Sequence, residues 1–181
     1  MSQDWFAVYT KHQHEKSAAA LLERKGFQQF LPLYRAVHRW KDRNQQVVLP
    51  LFPCYLFVRT ELTRKLEILQ TAGVRWLVEN AGRACSIPET EIEAIQRVCS
   101  SGVRVEPHPF LKQGDHIRLN SGPLAGLEGI LTQVKNENRI VLSIELLKRS
   151  VAVEVDPLSI EVIGESKSSS PRQARTKSIT V

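Results

Sequence analysis

The sequence predicts an α+β fold in two parts: a split β-α-β unit with one extra helix, then a small all-β barrel. Three observations carry this reading. Alternating and helix-spaced apolar segments interleave through residue 101. A stretch containing Gly102, Pro107 and Pro109 then breaks all periodicity. Beyond it come only short strand-like segments parted by turn formers.

The elements follow in order. Trp5-Phe6-Ala7-Val8-Tyr9-Thr10 reads as a first strand. Residues 14–26 read as a helix, with Ala18, Leu21 and Leu22 at helical spacing and Gly26 as its stop. Phe27 to Trp40 alternates loosely, turns polar through Lys41-Asp42-Arg43-Asn44, and returns from Val47, the pattern of a long hairpin with a charged tip. Leu62, Leu66, Leu69 and Ala72 mark a second helix closed by Gly73, and Val74–Val78 a further strand. Ser86 and Glu89 stand at capping-box spacing before a third helix striped by Ile92, Ile95, Val98 and Cys99. This order predicts a ferredoxin-like antiparallel sheet with helices on one face, leaving the other face solvated or occupied by a partner. Strands are predicted at 117–119, 129–131, 140–142, 151–155 and 159–162, enough for a small barrel. The boundaries expected are 4–101, a linker at 102–111, 112–164, and a disordered basic tail at 165–181.

The 181 residues carry a net charge of +6, and Lys167, Arg172, Arg175 and Lys177 against Glu165 place half of it in the tail. Such a balance suits a polyanionic partner without requiring one. Cys54, Cys85 and Cys99 are odd in number and lack metal-type spacing, so the reading is reduced thiols in a cytoplasmic protein, with no metal and no cofactor. No apolar run reaches the roughly 20 residues of a membrane helix. Neither a signal peptide nor a membrane partner is expected, and the chain is read as a monomer. His12, His14, His38, His108 and His116 are scattered and no serine sits in a nucleophile elbow, so no catalytic residue is assigned. Gly122, Gly126 and Gly129 do not have phosphate-loop spacing and are read as turn and bulge residues.

The most informative stretch is Leu49-Pro50-Leu51-Phe52-Pro53-Cys54-Tyr55-Leu56-Phe57-Val58. Two prolines lead into a strong strand former, and alternation puts Tyr55 and Phe57 on one face, with Cys54, Leu56 and Val58 on the other. With Trp5-Phe6-Ala7-Val8-Tyr9 it resembles the NGN domain of NusG-type transcription elongation and antitermination factors. Gly114-Asp115-His116-Ile117-Arg118-Leu119 and Gly122-Pro123-Leu124-Ala125-Gly126-Leu127-Glu128-Gly129 resemble the KOW motif that follows it in that family. The resemblance covers residues 4–164 and, through the central motif, is closer to specialised paralogs such as RfaH and UpxY than to housekeeping NusG, which usually has glycine where Cys54 stands here.

The resemblance implies a factor that binds the clamp helices of RNA polymerase, bridges its cleft and suppresses pausing or termination. A KOW domain would recruit a second partner, a ribosomal small-subunit protein or Rho. Trp5, Tyr9, Phe52, Tyr55 and Phe57 are the candidate polymerase patch, although aromatics in neighbouring strands are more often core. Lys11, His14 and Lys16 match positions that touch non-template DNA in RfaH-like members. Arg35, His38, Arg39, Lys41 and Arg43 form a second basic run, interleaved with Tyr34 and Trp40, that can hold phosphates or simply protect a hairpin tip. Leu124, Ile144 and Leu146 are the candidate partner surface of the second domain. An RNA- or ribosome-binding module, or a housekeeping factor acting with Rho, are the competing readings. The strand formers Val151-Ala152-Val153-Glu154-Val155 predict a second domain that stays β and does not mask the aromatic patch.

Overall fold

A computed structural model of the protein describes residues 3–39, 44–109, 114–134 and 137–164. The first sheet is built from β1 (Asp4–Thr10), β2 (Gln28–Phe30), β5 (Tyr55–Thr60) and β6 (Val74–Leu77) in the order β2-β5-β1-β6, with the two-residue β9 (Ser86–Ile87) also paired to β1. All pairings are antiparallel, and the order matches the split β-α-β topology. Helix α1 (Glu15–Arg24) follows β1, and a single 3₁₀ turn (Leu62–Arg64) leads into the short α2 (Lys65–Leu69). Strands β3 (Leu33–Arg39) and β4 (Asn44–Pro50) form the expected hairpin. The tip residues Trp40, Lys41 and Arg43 lie outside the described residues, as does the tail 165–181.

Alternation sorts the sheet into two apolar faces. Phe6 and Val8 of β1 with Leu56 and Val58 of β5 pack on Ala18, Ala19 and Leu22 of α1 and Ile68 of α2. Trp5, Ala7 and Phe57 point the other way, toward Leu51, Phe52 and the Ile92, Ile95 and Val98 stripe of α3 (Glu89–Ser100). The second face is therefore not bare.

One local expectation is corrected. Ser86 does not cap α3: it pairs with Phe6 in β9, and the helix starts one residue after Pro88, with no side-chain cap. The pairing commits Ser86 to the sheet, and Pro88 takes the position before the first helical turn. A small hairpin of β7 (Glu79–Asn80) and β8 (Arg83–Ala84) also precedes β9; at two residues per strand it is too short to leave a period.

The second part is a six-stranded antiparallel sheet, β10-β14-β13-β12-β11-β15, comprising β10 (Val105–Pro109), β11 (His116–Leu119), β12 (Glu128–Val134), β13 (Glu137–Ile144), β14 (Arg149–Glu154) and β15 (Ile160–Gly164). Among the described residues its end strands, β10 and β15, are not paired with each other, so the pairing is an open path where a closed barrel was expected. The five expected strands are present. The sixth, β10, lies within the expected linker. Pro107 and Pro109 erase its sequence signal, yet both fit an edge strand, where a missing N–H costs nothing. Its Glu106 pairs with the buried Arg139 across β14. Gly129 is required by close approach: a Cβ there would stand 2.6 Å from Ile140 Cγ1 and 2.8 Å from the Val141 carbonyl oxygen.

The two parts pack together. Ile117, Leu119, Leu124, Leu127, Ile140, Leu142, Ile144, Val151 and Val153 form one continuous apolar cluster with Trp5, Phe52, Phe57 and the α3 stripe. The Arg97 guanidinium on α3 donates to the Ala125 carbonyl at 2.7 Å. The second sheet thus stands against the face of the first that the sequence left open to a guest, contrary to the expectation that it would not mask it.

Candidate aromatic and basic interface

The β1–β5 and β1–β6 registers set Tyr9 opposite both Tyr55 and Trp76. Their rings form a row across three strands at the end of the sheet. Trp76 stacks on Tyr9 with centroids 4.3 Å apart and planes 11° apart, and Tyr9 meets Tyr55 edge-on at 5.1 Å and 73°. Both geometries suit aromatic quadrupoles. Trp76 remains 52% exposed, whereas Tyr9 and Tyr55 are half-buried. Arg149 of the second sheet lies over the Tyr55 ring, 5.7 Å from its centroid. Burial pushes the Tyr55 phenol above its ordinary value, opposed by the Arg149 charge.

The expected five-ring patch divides. Tyr9 and Tyr55 belong to the row, while Trp5, Phe52 and Phe57 are sealed in the apolar cluster. Phe52 meets Phe57 edge-on at 5.7 Å, and Phe30 stacks on Phe57 at 6.1 Å. The reason is topological. Alternation directs Trp5 and Phe57 to the same face as Tyr9 and Tyr55, but α3 and the second sheet cover only part of that face. Trp76 was missed because its neighbour, Tyr9, is fixed by a cross-strand register that the sequence does not display.

Lys11, His12 and His14 are exposed on the turn that follows β1, which begins two residues after Tyr9. Lys16 is exposed as well, but its ammonium donates to the Val48 carbonyl at 2.9 Å and so ties α1 to the β3–β4 hairpin. Arg35 is exposed on β3, and Arg39 lies at the hairpin's end, paired with Asn44. Lys41 and Arg43, in the same run, fall outside the described residues. Of the residues expected to face a second partner, Leu124 and Ile144 are core, because they point into the cluster shared with the first sheet. Leu146 is half-buried and lines a cleft with Glu79, Pro88, Glu91 and Lys148.

No metal set was expected from sequence spacing. The fold nevertheless brings His12, Glu15 and Cys54 together, with ligand atoms all within 4.8 Å of one another. No period or motif links the β1–α1 turn to the start of β5, so only the tertiary structure reveals it.

The family model described as "Transcription termination factor nusG" matches residues 3–96. The Transcription termination/antitermination protein NusG of Thermus thermophilus is 28% identical over 177 residues, covering 86% of this chain and 96% of that protein. The Neisseria meningitidis protein of the same name is 25% identical, covering 90% and 99%. A solved structure described as domain interaction in Thermotoga maritima NusG shares the fold, with a TM-score of 0.56, 20% identity, and coverage of 89% of this chain and 97% of that one. The family match spans the aromatic row, β1, β5 and β6 entire, and this chain belongs to the NusG family of transcription elongation, termination and antitermination factors.

Proposed function

We propose that this NusG-family protein docks on RNA polymerase through the Trp76–Tyr9–Tyr55 row, the observation that carries the reading. An exposed tryptophan stacked on one half-buried tyrosine, itself braced edge-on by a second, offers a rigid, amphipathic anchor with little side-chain entropy left to lose on binding. The clamp helices are the partner that fits, since a helix tip laid on an aromatic platform buries apolar area at its centre and keeps a polar rim. A factor that bridges the cleft and binds the closed, elongating state more tightly shifts polymerase away from paused states; differential affinity is sufficient. Lys11 and His14 on the turn after β1 suit the exposed non-template strand, and Arg35 and Arg39 are further candidates for phosphate contacts.

The second sheet is read as a KOW domain that recruits a ribosomal small-subunit protein or Rho. A specialised role is the finer reading, resting on the resemblance of the central motif, in which Cys54 keeps a side chain at a φ of 66°.

The test is co-purification with core RNA polymerase and transcription on paused templates. Tyr55→Ala and Trp76→Ala should each weaken polymerase binding by about tenfold or more and abolish any change in pause lifetime. Unchanged binding by both variants removes the aromatic row from the interface. RNA affinity that survives these substitutions and falls steeply with salt would favour an RNA-binding module instead.

A further inference from the structure

We propose that His12, Glu15 and Cys54 form a binding site for a borderline-soft divalent cation, best matched by zinc. His12 lies in the β1–α1 turn, Glu15 opens α1, and Cys54 immediately precedes β5. The His12 Nδ1 to Cys54 Sγ distance is 3.8 Å. Tetrahedral zinc, about 2.3 Å from sulfur and about 2.0–2.1 Å from nitrogen, sets these atoms about 3.6 Å apart. The pair therefore stands near bonding geometry, with a Glu15 carboxylate oxygen within 4.8 Å of both atoms.

Glu15 is only 4% exposed, an uncommon place for a carboxylate. One of its oxygens accepts the Cys54 backbone N–H at 2.8 Å. That bond alone would explain a residue anchoring the turn. It does not explain why a thiol and an imidazole converge on the same carboxylate, whose remaining lone pairs can still take a cation. The Cys54 backbone points the same way. Its φ of 66° is one that glycine adopts freely and that costs an L-residue about 1 kcal/mol, so its thiol stands there against the backbone's preference.

The surrounding chain is already held. Thr10 N–H donates to the Cys54 carbonyl at 2.8 Å, Lys11 N–H to the Gly73 carbonyl at 2.8 Å, and Tyr55 N–H to the Phe52 carbonyl at 3.0 Å. A mixed nitrogen, oxygen and sulfur set suits zinc and disfavours calcium or magnesium, which take oxygen ligands. On binding, the Cys54 thiol releases its proton to solvent and the thiolate takes the metal. Three protein ligands leave a fourth position for water or for a group brought by a partner. The bound ion would staple the β1–α1 turn to the start of β5, directly beside Tyr55. The cation site stands whatever the aromatic row binds.

The experiment uses the full chain without an affinity tag, stripped with chelator and titrated with cobalt(II), then zinc. One equivalent of cobalt should produce a thiolate-to-metal charge-transfer band in the near ultraviolet, which zinc then bleaches. Cys54→Gly should lose the band. Its backbone conformation suits glycine, and it keeps the N–H bonded to Glu15, so folding is retained. His12→Gln should weaken binding at least about tenfold, whereas Cys85→Ser and Cys99→Ser should leave it intact. Zinc should raise the melting temperature of the parent protein and not that of Cys54→Gly. A parent protein without the band, or Cys54→Gly binding as tightly as the parent, overturns the site.

Discussion

Tyr55 and Phe57 share one strand face two residues apart, yet their environments assign them opposite work. Phe57 is fully buried between Phe52 and Phe30, so Phe57→Ala leaves a cavity and should cost about 3–5 kcal/mol. Tyr55 is half-buried and should cost about 1 kcal/mol on truncation, its main effect falling on binding. Urea unfolding of the two variants checks this; equal losses would show that Tyr55 is as much core as Phe57. The thiols divide in the same way. Burial pushes the Cys99 thiol above its ordinary range, opposed by a backbone hydrogen bond at Leu33. The reactive thiolate therefore appears only at higher pH, and at mildly alkaline pH Cys99 should alkylate more slowly than Cys85. Mass-resolved labelling with iodoacetamide reads the order, and Cys99 reacting at the rate of Cys85 would contradict it.

At the scale of elements, legibility in the sequence followed local periodicity. β1, α1, the β3–β4 hairpin, β5, β6, α3 and the five later strands each carry their own alternation or stripe, and each stands close to where that pattern places it. What stayed hidden depends on partners distant in the chain. β10 is held as a strand by its pairing with β14, and its Glu106 meets the buried Arg139. Trp76 joins the candidate site only through its register with Tyr9. The His12–Glu15–Cys54 set exists only because two turns meet. Glu106→Ala should therefore behave unlike a linker substitution. It strips a partner from a buried guanidinium and should cost about 2 kcal/mol, below the upper range for buried pairs because Glu106 is one-third exposed. Chemical unfolding followed by circular dichroism measures this, and a loss within about 0.5 kcal/mol of zero would return 105–109 to linker status.

Across the whole molecule, one apolar cluster runs from the first sheet through α3 into the second, so the two parts compete with any partner for the same face. The contact is fastened at its rim by Arg97 on the Ala125 carbonyl and Arg149 over Tyr55. Between α3 and the second sheet a cleft of about 740 Å³ remains, lined by Glu93, Arg97, Leu127 and Val141 among others, so the packing there is incomplete. Contacts between parts of one chain resemble transient interfaces unless they are large and apolar, so the rim groups can shift the balance here only to the extent that the cleft weakens the apolar seam. Apparent affinity for a partner of the covered face scales with the fraction of molecules that are open. Arg97→Ala combined with Arg149→Ala removes these two rim contacts without touching either core. The double variant should expand the radius of gyration in solution scattering and bind polymerase up to about tenfold more tightly, the factor that about 1.4 kcal/mol of lost docking energy releases. Thermal unfolding of each sheet should be little changed, because no buried apolar residue is altered. If scattering shows expansion while polymerase affinity stays the same or falls, the second sheet does not compete for the Tyr55 face, and the exposed Trp76 side of the row alone makes the contact.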